Sequence, residues 1–457
     1  MMDAGRHPKI NLLSYSEVEE VSGYIGNFSV KVRKKARCVN EEACTGCGTC
    51  QDKCPAKVLD TGFEAGMGKR KAIYRPFAQA IPNIPVIDKE NCIWFIRGKC
   101  GACKKLCPTG AIDFEQQDKI LDLEVGTIIV ATGFAMWDPK QLPQYSYGKS
   151  PNIITGLQFE RLTSAIGPTG GEILTAEGKK PEKVAIIHCV GSRDHNAHEY
   201  CSRICCMYSL KHAHQVHDKT GAEVYAFYMD MRSFGKAYEE FYEHVQEEGI
   251  TFVRGRGAEV DVLPSGKLRV KGEDANLGRI VAADVDMVIL ASAIESQPDA
   301  SRVSTLFGLG RSPDGFFAEA HPKLRPVETN TDGVFLAGCA QGPRDVPDTV
   351  AHAGAAASMA IALMDKAQVT ISPATALVDE RYCSACKTCI ALCPYNAISF
   401  VPDDNVARVN ETLCKGCGTC VAACPAGAIT ARHFTDEQIM AQIEGLFQMP
   451  AMAEVAA

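Results

Sequence analysis

C-S-A-C-K-T-C-I-A-L-C-P over residues 383–394 and C-K-G-C-G-T-C-V-A-A-C-P over residues 414–425 are one pattern written twice. Each run is C-x2-C-x2-C-x3-C-P, the spacing of two-cluster bacterial ferredoxins. Three thiolates grip three corners of an iron–sulfur cube, and the fourth cysteine serves the other cube. The expected ligand sets are therefore Cys383, Cys386, Cys389 and Cys424 for one [4Fe–4S] cluster, and Cys414, Cys417, Cys420 and Cys393 for the next. Gly416 and Gly418 carry no Cβ, so backbone N–H groups can close on the sulfides and stabilise their charge. Zinc also uses C-x2-C pairs, but a zinc site has little need of three such cysteines followed by Cys-Pro.

A looser copy lies upstream. Cys44, Cys47, Cys50 and Cys54-Pro55 keep the spacing, while Cys92, Cys100, Cys103 and Cys107-Pro108 have a longer gap between their first two members. By the same crossing rule, Cys44, Cys47, Cys50 and Cys107 hold one cluster, and Cys92, Cys100, Cys103 and Cys54 the other. The alternative for Cys92 is a buried thiol beside a cluster with three cysteines. The two blocks are an internal repeat of one ferredoxin-like α+β module, inserted at 37–118 and appended at 371–433.

The chain has 457 residues, 46% hydrophobic and 23% charged, with 22 cysteines and a net charge of −7. That is apolar material for about three domains, and it disfavours disorder. The mild charge argues against nucleic-acid and membrane-surface partners. Clustered cysteines with no signal peptide point to metal ligation in a reducing, cytoplasmic setting and away from disulfides. No apolar run reaches membrane-spanning length, and the Ala/Gly-rich stretch at 351–364 reads as a packed helix.

Between and around the cysteine blocks, hydrophobic runs alternate as in a parallel α/β body. Strands are expected at 10–13, 22–32, 123–133, 181–194, Glu223–Tyr228, 250–253 and 285–291, with helices at 204–217 and 349–364. A linker follows at 369–376, and a tail, helical in part, at 434–457. Ala131, Thr132 and Gly133 end one buried strand, and Gly333 to Gly338 (G-V-F-L-A-G) form another strand and turn. Together they are paired marks of a two-dinucleotide-binding flavoprotein, the second setting a helix N-terminus against FAD. The fingerprint G-x-G-x-x-G is absent. The expected segments are partial FAD-domain strands at 1–36, the FAD-domain return at 119–180, a nicotinamide-domain-like unit at 181–290 and the rest of the FAD domain at 291–370.

That middle unit reads H-C-V-G-S-R-D at 188–194 and Y-C-S-R-I-C-C at 200–206. A single glycine cannot make the close pyrophosphate turn, so NAD(P)H binding there is not expected. Cys189, Cys201, Cys205 and Cys206 form a ligand-like set and suggest a fifth cluster, with buried or redox-active thiols as the alternative. His188, His195, His198, His212, His214 and His217 crowd the same stretch. Zinc is one reading of them, and structural or solvated histidines are the plainer one. Cys38 and Cys339 are left over. Cys339 reads as a small residue beside FAD, and the basic run 31–37 as a solvated strand end.

G-R-H-P-K-I-N-L-L-S-Y-S-E-V-E-E-V-S-G (5–23), C-I-W-F-I-R-G-K-C-G-A-C-K-K-L-C-P (92–108), C-V-G-S-R-D with Y-C-S-R-I-C-C, and A-G-C-A-Q-G-P-R-D-V-P (337–347) together resemble the A subunit of CoB–CoM heterodisulfide reductase, along nearly the whole chain. The resemblance implies a thioredoxin-reductase-like FAD body with an inserted and a C-terminal ferredoxin. It also implies a cluster on Cys189, Cys201, Cys205 and Cys206. The implied activity is flavin-based electron transfer, often bifurcation, in a complex with other reductase subunits, a hydrogenase or dehydrogenase module, and ferredoxin. It further suggests Lys211 as a positive neighbour of the flavin with Glu160 as its partner, and a loop of Asp345, Val346, Pro347 and Thr349 facing the pyrimidine end. Full-length relatives carry an N-terminal region with the FAD glycine motif, after which a C-x-x-C or C-x-x-selenocysteine motif precedes the start seen here. The expectation is a reading frame opened at a Met downstream of a selenocysteine codon. Two alternatives remain: a cluster-only wiring subunit, and an NAD(P)H-dependent disulfide reductase or glutamate-synthase-like small subunit.

Overall fold

The computed structural model describes residues 2–366, 368, 370 and 372–447. Parts of the expected linker (367, 369 and 371) and of the expected tail (448–457) lie outside the described residues. Among the described residues no helix is long and apolar enough to cross a membrane.

The centre is a five-stranded sheet in the order Ile153–Thr155, Met287–Ser292, Lys183–Val190, Glu223–Tyr228 and Thr251–Arg254, every pairing parallel. Its middle strands are buried on both faces, which is why they read as unbroken apolar runs. Along Lys183–Val190, Val184 and Ile186 pack toward Phe159, Leu210 and Val216 on the helices. Ala185 and Ile187 point the other way, to Phe227, Val260, Leu268 and Val270. The helices are Gly156–Thr163, Cys205–Thr220 and Tyr238–Glu247. Gly221, at φ 70°, ends the second of them by returning its N–H to His217 O at 2.8 Å. The opposite face is covered by an antiparallel sheet of Gly257–Val262, Leu268–Asp274 and Arg279–Val285, which sequence patterning did not anticipate.

The second part of the body is an antiparallel sheet of Ser16–Tyr24, Asn27–Lys34 and Lys119–Val125 beside a parallel pair, Ile128–Val130 with Val334–Leu336. The expected strand at 22–32 is really a hairpin: Tyr24 pairs with Asn27 across Ile25 and Gly26, with Gly26 at φ 83°. The stretch 10–13 forms no strand. The run 123–133 is divided, its first half in the antiparallel sheet and its second in the parallel pair. The basic run 31–37 is neither free nor simply solvated. Lys31 pairs with Glu20, Lys35 with Glu17, and the buried Arg37 with Glu41. The helix expected over 349–364 is Val346–Lys366, and it buries only His352, Ala356 and Ala360.

The inserted module leaves this body at the end of Asn27–Lys34 and returns at Lys119–Val125. It holds the helices Thr49–Asp52, Ile93–Arg97 and Ala102–Leu106. The C-terminal module pairs Ala376–Val378 with Ile429–Ala431 and Ile398–Val401 with Val406–Val409 around the helices Thr388–Leu392 and Thr419–Ala422.

Candidate functional site

In each ferredoxin-type module a small cavity draws thiols from both cysteine runs. Cys44, Cys47 and Cys50 line one with Cys107, and Cys92, Cys100 and Cys103 line another with Cys54. Cys414, Cys417 and Cys420 meet Cys393 in a third, while Cys383, Cys389 and Cys424 share the C-terminal core, with Cys386 exposed. All these cysteines are free thiols. Backbone N–H groups point at sulfur: Ala111 to Cys107 and Ala397 to Cys393, both at 3.3 Å, and Ala376 to Cys414 at 3.4 Å. The hydroxyls of Thr49, Thr388 and Thr419 hold the Cys47, Cys386 and Cys417 thiols below their ordinary range. Burial pushes Cys50 and Cys103 up to about 11. A thiol so placed is a poor free nucleophile, but metal coordination deprotonates it outright. Donor set and cavities both fit iron–sulfur cubes. The longer gap after Cys92 folds into the helix Ile93–Arg97, with Cys92 as N-cap and Gly98 at φ 64° as stop.

Cys189, Cys205 and Cys206 meet at the C-terminal edge of the parallel sheet, where its strand order reverses between Lys183–Val190 and Met287–Ser292, and Cys201 lies on the loop that joins strand to helix. In doubly wound sheets this crevice takes the ligand. Cys189, next to last in its strand, has φ 57°, and Cys205 and Cys206 open the helix that follows. All three are buried, and Cys201 is half-buried. The loop carrying Cys201 is pinned from both sides, by Tyr200 Oη donating to Ile294 O at 2.8 Å and by Ile294 N–H donating to Ser202 Oγ at 3.0 Å. The Cys205 thiol, bridging the other two, holds Cys189 and Cys206 well below the usual thiol range, and buried His188 helps. Gly191, the one glycine where a nucleotide turn would lie, is packed instead: a Cβ there would meet the Trp137 ring at 2.4 Å. The crevice of a dinucleotide site is thus filled by thiols at a helix N-terminus.

The A-T-G and G-V-F-L-A-G marks lie side by side on the parallel pair, with Val334 opposite Ile128. Ala131 and Thr132 are exposed, and Gly133 turns at φ 75° with nothing near its missing Cβ. Gly338, at φ 65°, donates its N–H to His352 Nδ1 at 2.9 Å, and Cys339 Sγ meets Arg344 O at 3.5 Å. Asp345 caps the next helix by accepting from Asp348 N–H at 2.8 Å, so Val346, Pro347 and Thr349 belong to its first turn and not to a loop. Arg344 has a buried Nε without a partner. An open glycine turn, a long helix N-terminus and an underused guanidinium fit the phosphates of a dinucleotide. Arg203 joins this edge to the middle cysteines by donating to Asp348 at 2.7 Å. Both arginines sit inside recognisable motifs, yet the sequence assigns them no role, because their partners are distant along the chain.

Lys211 and Glu160 do come together, as an ion pair between helices Cys205–Thr220 and Gly156–Thr163. The same carboxylate accepts from buried His212 at 2.8 Å. Burial pushes the Glu160 carboxyl up, but the bonds from His212 and Lys211 win and hold it at about 2. His212 packs on Tyr208, ring centroids 5.3 Å apart, two residues beyond Cys206. Among the described residues no hydrogen bond or ion pair links Lys211 or Glu160 to the 345–349 segment. Cys38 is fully buried in the inserted module's core.

A 4Fe-4S dicluster domain matches residues 43–111, and a second matches residues 375–429. The A subunit of the H(2):CoB-CoM heterodisulfide,ferredoxin reductase of Methanothermobacter marburgensis is 50% identical over 455 residues, covering 99% of this chain and 68% of that protein. The iron-sulfur A subunit of the CoB–CoM heterodisulfide reductase of Methanocaldococcus jannaschii is 47% identical, over 98% of this chain and 68% of its own length. The T. acidophilum thioredoxin reductase structure overlaps 68% of this chain and 89% of its own at 12% identity and a TM-score of 0.37, too loose a superposition to bear on a fold read from strand order. With two dicluster domains in place and half its residues shared from end to end with these proteins, the chain belongs to the heterodisulfide reductase A-subunit family of iron–sulfur oxidoreductases.

Proposed function

We propose that this chain is the electron-distributing subunit of a cytoplasmic heterodisulfide-reductase-type complex. FAD lies along Ala131 to Gly133 and Gly338 to Thr349, and [4Fe–4S] clusters occupy the five cysteine sets. Bound there, the flavin would convert an electron pair into single electrons and the clusters would conduct them. The reading includes bifurcation, with a hydrogenase or dehydrogenase module as donor and ferredoxin and a disulfide as acceptors. The observation that supports it is the Arg203–Asp348 bridge, which ties the loop between Cys201 and Cys205 to the first turn of the helix after Asp345. The chain's own part is to seal Cys189, Cys205 and Cys206 from water and to offer their charge a helix N-terminus. Arg344, whose buried Nε has no other partner, holds phosphate.

Anaerobically purified protein tests this. Roughly 20 Fe with matching acid-labile sulfide, four per cluster, and one FAD per chain are expected. Cys206→Ser should remove about four Fe and leave FAD in place. Iron without FAD would favour the cluster-only reading, and colourless protein lacking labile sulfide would end both. NADPH should not bleach the flavin, given the packed Gly191 turn.

A further inference from the structure

Three side chains that belong to none of the cysteine sites converge where the helices Cys205–Thr220 and Tyr238–Glu247 touch. His244 and Glu248 stand one turn apart and so share a face, and His214 meets them from the neighbouring helix. His214 Nδ1 lies 2.6 Å from Glu248 Oε1, and His244 Nε2 lies 3.3 Å from the same oxygen. One ligand atom from each of the three residues falls within 4.8 Å of the other two. The imidazole centroids are 6.1 Å apart. Without an ion, one oxygen serves both rings while the other, Oε2, is sealed from solvent and meets no hydrogen-bond partner. That is an unfavourable way to keep a carboxylate.

We propose that His214, His244 and Glu248 bind a zinc ion. Two imidazole nitrogens and one carboxylate are a borderline nitrogen–oxygen set, suited to zinc and unsuited to the all-oxygen preference of calcium or magnesium. At zinc–ligand distances of about 2.0–2.2 Å, tetrahedral ligand atoms sit about 3.3 Å apart. His244 and Glu248 already have that spacing, and His214 reaches it by withdrawing less than about 1 Å. A carboxylate holding the ion can turn Oε2 toward it as well, which accounts for the orphaned atom. His244, 59% exposed, leaves the fourth position to water. Zinc takes no part in redox chemistry; here it straps one helix to another. The first helix opens with Cys205 and Cys206, and the second carries Tyr238, whose hydroxyl donates to Asp345 at 3.2 Å. The strap braces the thiol crevice and the dinucleotide edge together.

The test uses the full chain with its clusters loaded, exposed anaerobically to zinc sulfate and desalted. Zinc and iron are counted, and the zinc coordination shell is read by X-ray absorption. One zinc per chain is expected, with nitrogen and oxygen neighbours near about 2.0 Å and none of the sulfur near about 2.3 Å that zinc in a vacant cysteine site would show. His214→Ala and Glu248→Gln should weaken retention by more than the roughly 10- to 100-fold that losing a supporting partner costs, with iron content unchanged. Should either variant also lose iron, exposed His244→Ala gives the same comparison, and the shell of the unaltered protein stands by itself. Sulfur-only coordination, no retained zinc, or equal zinc in all variants would overturn the proposal.

Discussion

At the scale of single residues, the cluster loops depend on left-handed backbone at fixed places. Gly46 and Gly48 in one run, and Gly416 and Gly418 in another, all have positive φ. In the run 383–394 the same places hold Ala385 at φ 60° and Lys387 at φ 61°, so the backbone shape is imposed even where glycine is lacking. The two C-terminal glycines differ in one respect. A Cβ on Gly416 would lie 2.0 Å from Ala374 O, whereas nothing lies within 4 Å of one on Gly418. Gly418→Ala should therefore cost only the left-handed strain, about 1–2 kcal/mol. Gly416→Ala should add about 1–3 kcal/mol of overpacking and push Ala374 away from the Cys414 loop. Denaturant midpoints followed by cluster absorbance would rank the two, and equal midpoints would refute the steric argument.

Among elements, what the sequence could disclose follows from how local each signal is. Ligand spacing is local, so the grouping of Cys54 with Cys92, Cys100 and Cys103 around one cavity could be anticipated from a crossing rule. A buried parallel strand is local too, and Glu223–Tyr228 lies where its pattern put it. The sheet over 257–285 was unreadable because Gly257–Val262 and Arg279–Val285 show water much of their length and alternate weakly. The helix between Cys92 and Cys100 is too short for any periodicity. Contacts between modules were invisible because they join residues far apart in sequence. Arg161 is the example: its guanidinium donates twice to Glu64, at 3.2 and 3.0 Å, and covers the Phe63 ring at 4.1 Å, joining the helix Gly156–Thr163 to the inserted module. Arg161→Ala should loosen that joint by about 1.5–3 kcal/mol, seen as faster amide exchange over 58–70 without loss of iron. One residue earlier, Glu160 ties the same helix to Lys211 and His212. Its carboxyl is held at about 2 against 4.5 in the unfolded chain. The stabilisation is therefore complete above about pH 4.5 and disappears as pH falls toward 2. Glu160→Gln should lower the unfolding midpoint near neutral pH, and the gap should close as pH falls from about 4.5 toward 2. A gap that widened in acid would reverse the assignment.

For the whole molecule, a conducting chain works only if its modules are held at hopping distance, and the C-terminal module has a definite anchor. Lys415, between Cys414 and Gly416, pairs with Asp332 of the body, each side chain about a quarter exposed. Arg325 supports the same carboxylate at 3.8 Å, and Ile25, Tyr395 and Leu413 line the seam. A partly buried pair at a junction contributes more than a surface pair. Lys415→Glu should repel Asp332 and release the module, while its cysteines, outside the seam, keep their iron. Asp332→Lys should do the same, and the double reversal should restore docking, with a coupling of about 0.5–3 kcal/mol. Small-angle scattering reports the docking, and cluster reduction after rapid mixing with a donor reports its consequence. Each single reversal should enlarge the radius of gyration and slow reduction of the C-terminal clusters, and the double should recover both. Slowed reduction without expansion would place the effect of Lys415 in the potential of the neighbouring cluster, and recovery of neither property in the double reversal would show that the apolar seam, not the ion pair, sets the geometry.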